Sequence, residues 1–119
     1  MERFAIKDLI AWKNSPRRRP LLVQGARQVG KTWLIREFGQ THFAAVAYVN
    51  FLEDEAMARQ FEGELAPARL LDAVTLYTGV NAKDPNTLVV FDEIQECPRA
   101  LTSLKSFAER SPETALVAA

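Results

Sequence analysis

The sequence predicts an α/β fold in which a mostly parallel sheet of about four strands lies between two helical layers, a three-layer sandwich. Three observations predict it. The apolar runs "LLVQ" (21–24), "AAVAYVNF" (44–51), "TLVVFD" (87–92) and "TALVA" (114–118) alternate with helical patterns, as in consecutive strand-helix-strand units. The run "LVVF" is apolar at every position instead of every second one. A strand buried on both faces requires that, so this one belongs inside the sheet and not at an edge. Finally, proline and glycine mark the joints: Pro67 and Pro98 stand where a first helical turn tolerates proline, and Gly39, Gly63 and Gly79 stand where helices stop.

Ile6, Leu9, Ile10 and Lys13 recur at helical spacing and predict a helix over 3–13, with the lysine stem lying along apolar surface and Trp12 closing the helix on the sheet. "NSPRRRP" breaks it. Leu34, Ile35 and Phe38 give the apolar face of the next helix, with Trp33 packed as core beneath the preceding loop. A weaker helix near 54–62 begins at Glu53, Asp54 and Glu55, whose charges complement a helix N-terminus. Leu70, Leu71, Val74 and Tyr77 form a third face, and Leu101, Leu104 and Ala108 a fourth. Loops are expected at 14–20, 63–66 and 80–86, and the sequence has no internal repeat.

The chain has 119 residues, enough for one domain. Its 15 basic and 15 acidic residues cancel, so charge draws it neither to nucleic acid nor to anionic membranes. Arg17, Arg18 and Arg19 read as a solvated turn instead of a nucleic-acid patch. Cys97 has no partner for an internal disulfide and reads as a small apolar filler, while His42 reads as a loop residue outside any metal cluster. A reducing cytoplasm is the expected compartment. "MERFAIKDLIAWK" contains no uninterrupted apolar core, so neither a signal peptide nor a membrane span is expected there.

Chemistry enters at "GARQVGKTW" (25–33). Gly25, Gly30, Lys31 and Thr32 satisfy G-x-x-x-x-G-K-[ST] between an apolar strand and a helix, the context that gives the motif its meaning. The glycines let backbone N–H groups turn inward around a phosphate at a helix N-terminus. Gly25, Ala26, Arg27, Gln28, Val29, Gly30, Lys31, Thr32 and Trp33 are therefore the candidate nucleotide-binding stretch of a P-loop NTPase. Lys31 supplies a point charge to the β- and γ-phosphates, and the Thr32 hydroxyl is a Mg²⁺ ligand. Chance yields the motif in roughly one chain of this length in a few hundred, and a second signal accompanies it. Four apolar residues lead into Asp92 and Glu93, the form of an acidic strand that holds Mg²⁺ through Asp92 and orients the attacking water through Glu93. An acid directly after the magnesium aspartate goes with an extra strand between the loop strand and the acidic strand, and "TALVA" is the candidate.

"LLVQGARQVGKTWLIREFG", "YVNFLEDE" and "LVVFDEIQECPRALTSLKSFAER" resemble, in order and spacing, the bacterial and archaeal AAA-like ATPases that carry a C-terminal domain of unknown function. The resemblance runs from about residue 18 to 119 and is most specific at 25–32 and 92–95. It implies ATP with Mg²⁺ as ligands, phosphate contacts from Gly30, Lys31 and Thr32, and catalytic acids at Asp92 and Glu93. Arg27, Gln28 and Gln95 match motif positions without an assigned role. Residues 1–16 would be a helix and linker, and 17–119 the P-loop core. A sensor turn, a fifth strand and the C-terminal domain of that family do not follow within these residues. The chain is thus expected to be the N-terminal part of a longer protein, weak in hydrolysis without an arginine finger, self-associating through an unpaired sheet edge, and engaging a protein partner through the part that does not follow.

Rival readings are weaker. "NAKD" (81–84) superficially matches a guanine-reading motif, but its lysine is one place late and it precedes the acidic strand, so it reads as a polar loop closed by Pro85. A P-loop kinase would share the loop, although a water-activating Glu93 suits hydrolysis better. An ATP-switched regulatory module without turnover is the alternative from another class.

Overall fold

The computed structural model describes residues 6–16, 18–23 and 28–119. Helix α1 (Ile6–Lys13) leads into strand β1 (Leu21–Leu22), helix α2 (Gln28–His42) and strand β2 (Ala45–Asn50). Helices α3 (Glu55–Gln60) and α4 (Pro67–Thr78) then precede strand β3 (Thr87–Asp92). A 3₁₀ turn (Ile94–Glu96), helix α5 (Pro98–Arg110) and strand β4 (Ala115–Ala118) complete the order. The sheet runs β1-β4-β3-β2, and every pairing is parallel. Thus β4 inserts between the strand before the glycine loop and the acidic strand, as expected for "TALVA". Strand β3 is central and buried at all six positions, as its unbroken apolar run requires.

Helices cover both faces. Toward α3, α4 and α5 the sheet presents Ala47, Val49, Val89, Phe91, Leu116 and Ala118. Toward α1 and α2 it presents Leu88, Val90, Ala115 and Val117, which pack with Leu9, Ile35 and Phe38. The period of two along each strand separates these sets. In α1, Leu9 is fully buried, Lys13 lies over the Phe43 ring at 5.2 Å, and Trp12 packs partly buried against this second core. Residues 3–5 of the predicted helix lie outside the described residues, as does Gln24 of the predicted first strand.

Local signals explain several boundaries. Asp54 caps α3 by accepting the Met57 N–H at 3.0 Å, Pro67 starts α4, and Gly79 ends it at φ 76° with its N–H on the Thr75 carbonyl. The loop after α3 is fastened by two arginines. Arg69 donates to the carbonyls of Gln60 and Glu64, and Arg99 to those of Phe61 and Gly63. The "NAKD" segment is a polar turn in which Asn81 Oδ1 accepts the Lys83 N–H and Asp84 Oδ1 accepts the Asn86 N–H.

Six expectations are corrected. Gly39 does not end its helix, because α2 continues to His42; the glycine is a contact point, where a Cβ would come within 2.5 Å of Val46 Cγ2 and 3.0 Å of Leu88 Cδ2. His42 is consequently helical, its ring 5.1 Å from Phe38. Trp33 is 65% exposed instead of core, since it lies on the helix face opposite Ile35 and Phe38. The buried face of α5 is Ala100, Ser103 and Phe107, leaving Leu101 exposed; Ser103 is tolerated there because its hydroxyl donates to the Ala100 carbonyl at 2.6 Å. Tyr77 is likewise exposed at the end of α4. Arg17 lies outside the described residues, and Arg18 is no solvated turn residue. Its guanidinium stacks over Trp12 at 5.6 Å and donates to the Glu113 carbonyl at 2.8 Å, and burial lowers its pKa.

Candidate functional site

Parallel strands all end on one side, and in open α/β sheets ligands bind outside those carboxyl ends. Here that side gathers Val23 after β1, the start of α2, and Asp92 at the end of β3. Gly25, Ala26 and Arg27 lie outside the described residues; Gln28, Val29 and Gly30 form the first backbone turn of α2, and their side chains are not described. Lys31 Nζ donates to the Val23 carbonyl at 3.4 Å, which holds the amine over the strand end that leads into the loop.

Thr32 and Asp92 are 60 positions apart in sequence, yet Thr32 Oγ1 donates to Asp92 Oδ2 at 2.8 Å. Two structural causes bring them together. The apolar face of α2 fixes the helix on the β2–β3 half of the sheet, and Asp92 shares strand parity with Leu88 and Val90 and therefore faces α2. Asp92 is only 3% exposed. A buried carboxylate needs donors, and this one has three: Thr32 Oγ1 and Tyr48 Oη on Oδ2, and the Glu93 N–H on Oδ1 at 2.9 Å.

Glu93 follows in the left-handed region at φ 53°, ψ 45°, the one non-glycine residue with positive φ among those described. For a residue with a Cβ that conformation costs on the order of 1–2 kcal/mol. Neighbouring contacts impose it. Ala119 bonds both sides of the bend, its N–H on the Phe91 carbonyl and its carbonyl receiving the Ile94 N–H, each at 2.9 Å. Gln95 Nε2 donates to Glu93 Oε1 at 2.6 Å, which gives the sequence-singled glutamine a physical task as an orienter of that carboxylate.

Tyr48 was not singled out in the sequence. Its hydroxyl lies 2.5 Å from Asp92 Oδ2, and Arg36 stacks on its ring with the guanidinium carbon 4.3 Å from the centroid. Burial, the hydrogen bond to Asp92 and the Asp92 charge push the Tyr48 pKa up to about 12, against smaller opposing effects from Asn50 and Arg36. The phenol stays a donor at any ordinary pH. The sequence signal for Arg36 is its position four residues after Thr32, which puts both on one helical face; Tyr48 has only its alternation with Val46 and Asn50, and nothing local states what it faces.

The donor set, a hydroxyl and a carboxylate, has the chemistry of a hard cation site. Mg²⁺ is held by one or two carboxylates together with substrate phosphates instead of a full protein cage. Among the described residues there is no cluster of three or more His, Cys, Asp or Glu side chains. The residues present therefore fit a magnesium-phosphate ligand better than a resident transition metal.

A family model described as an AAA domain matches residues 17–119. The chain belongs to that AAA domain family. No curated protein and no solved structure matches it. The all-parallel four-stranded sheet with helices on both faces is an α/β fold compatible with a P-loop NTPase-like AAA domain. Membership gives this AAA domain nucleotide binding and ATPase chemistry as its family-level activity. The "NAKD" turn precedes β3 and so lies at the opposite end of that strand from Asp92, roughly 17 Å away at ordinary strand rise. No helix among the described residues is long and apolar enough to cross a membrane.

Proposed function

We propose that this AAA domain binds ATP with Mg²⁺ and hydrolyses it to ADP and phosphate. The observation that carries this reading is the 2.8 Å contact between Thr32 Oγ1 and Asp92 Oδ2, which joins the glycine-loop helix to the acidic strand. In this reading the backbone of 25–30 and the Lys31 amine bind the phosphates, and Thr32 and Asp92 hold the cation. Bound Mg²⁺ would neutralise charge that develops on the phosphates. Glu93 orients and deprotonates the attacking water, its carboxylate aimed by Gln95. The strained Glu93 backbone supports a chemical role for that residue, because such conformations persist where surrounding structure enforces them at functional sites.

The test is titration with fluorescent ATP and GTP analogues, with and without Mg²⁺, beside Lys31→Ala. Expected is magnesium-dependent ATP binding that Lys31→Ala abolishes and GTP does not match. Absence of binding by a chain that circular dichroism shows folded would overturn the proposal. Glu93→Gln separates turnover from switching: it should retain ATP longer than the unaltered chain if ATP is hydrolysed, and make no difference in a module that only binds.

A further inference from the structure

We infer that Tyr48 is a positioning residue for magnesium-nucleotide binding, acting through Asp92; this rests on the Mg²⁺·ATP reading above. Three contacts define the carboxylate. Oδ2 accepts from both Thr32 Oγ1 and Tyr48 Oη, and Oδ1 accepts the Glu93 N–H. A carboxylate has about four lone-pair positions. Oδ2 therefore has both of its own engaged, and Oδ1 retains one. Tyr48 thereby decides which oxygen of Asp92 is left to receive a hydrogen from the water shell of a cation held at Thr32.

The other donors do not do this alone. The Glu93 N–H is adjacent in the chain and restrains only Oδ1, and Thr32 belongs to the helix that follows the ligand loop. Tyr48 comes from β2, which is locked to β3 in register, with Tyr48 opposite Val90 and Asn50 opposite Asp92. Its hydroxyl thus refers the carboxylate to the sheet instead of to the loop. Arg36, stacked on the ring at 4.3 Å, fixes the ring from the α2 side. The Tyr48 hydroxyl and the Glu93 N–H thus both hold Asp92 from outside the loop.

Tyr48→Phe removes the hydroxyl and keeps the ring that Arg36 covers. The measurement is the Mg²⁺ concentration giving half-maximal binding of a fluorescent ATP analogue, alongside affinity for the same analogue in EDTA. The variant should need about fivefold to tenfold more Mg²⁺, the scale of one ordinary hydrogen bond lost, with its EDTA affinity close to that of the unaltered chain and a circular dichroism spectrum that shows it folded. An unchanged Mg²⁺ requirement in a folded variant overturns the inference. So does an equal loss with and without Mg²⁺, which would mark Tyr48 as a structural support only. If the unaltered chain itself binds the analogue identically in Mg²⁺ and in EDTA, the magnesium reading fails and Tyr48 has no cation to serve.

Discussion

Phe91 and Asp92 are consecutive on β3 and face opposite sides of the sheet, and those two sides are built by different rules. On the α3–α5 side Phe91 packs edge-on against Phe51, Phe61 and Phe107 with centroids 5.4 to 6.1 Å away, and all four rings are essentially buried. On the α2 side β3 and β4 present only aliphatic residues, Leu88, Val90, Ala115 and Val117, to a core that includes Phe38, the helix is let close by a glycine, and the strand end carries a buried carboxylate that accepts from a threonine and a tyrosine. A strand whose neighbouring residues point apart can thus give one face to an aromatic core and the end of the other to a hydrogen-bonded carboxylate.

The sharpest way to break the aromatic side is Phe91→Ala. Deleting a fully buried ring should lower unfolding free energy by about 3–5 kcal/mol, read from urea titration. A loss under 1 kcal/mol would mean that the four rings do not act as the keystone of that face.

Gly39→Ala probes the other side. Alanine favours the helix by about 1 kcal/mol over glycine, but a Cβ only 2.5 Å from Val46 Cγ2 adds an overpacking cost of about 1–3 kcal/mol. Val46 is β-branched and stiff, so a net loss of about 1 kcal/mol is expected. Combining it with Val46→Ala should recover part of that loss, and strict additivity of the two changes would show that they are not in contact.

The smallest expected effect lies away from both faces, at the start of α3. Asp54→Ala should cost about 1 kcal/mol near neutral pH as a lost helix cap. Burial raises the Asp54 pKa, but the hydrogen bonds from Tyr77, Met57 and Ala56 and the charge of Arg59 outweigh it, leaving the carboxyl below its ordinary value of 3.8. The unfolded chain then binds the proton more readily, so this stabilisation is complete above about pH 4 and disappears as pH falls through the lower folded value. The difference between Asp54→Ala and the unaltered chain should therefore vanish in acid; a gap that persists at pH 2 would show that packing and not charge supplies it.

The elements legible in the sequence are those with a strictly local cause. The unbroken apolar run at 87–92 announces a central strand, Pro67 and Gly79 bound α4, and Asp54 starts α3 by its own side chain. Thr32 and Asp92 could be picked out for the same reason, each from its own short pattern, and the structure brings the two together. Where the local reading failed, a distant contact had overridden it. Gly39 looks like a helix stop until Val46 and Leu88 lie against it, and Arg18 looks like a solvated turn residue until the distant Glu113 carbonyl accepts from its guanidinium.

By itself the sequence determined the α/β class, the alternation of strands and helices, and the two motifs at 25–32 and 92–95, because side-chain volume, polarity and backbone preference act over a few residues. Only the tertiary structure decided that the Tyr48 hydroxyl reaches Asp92 with Arg36 stacked on its ring, that Gln95 donates to the Glu93 carboxylate, and that Glu93 is held in a left-handed bend. Those features depend on strand register and helix placement. Register and placement minimise the free energy of the whole packed chain, and no single segment contains the contacts that choose them.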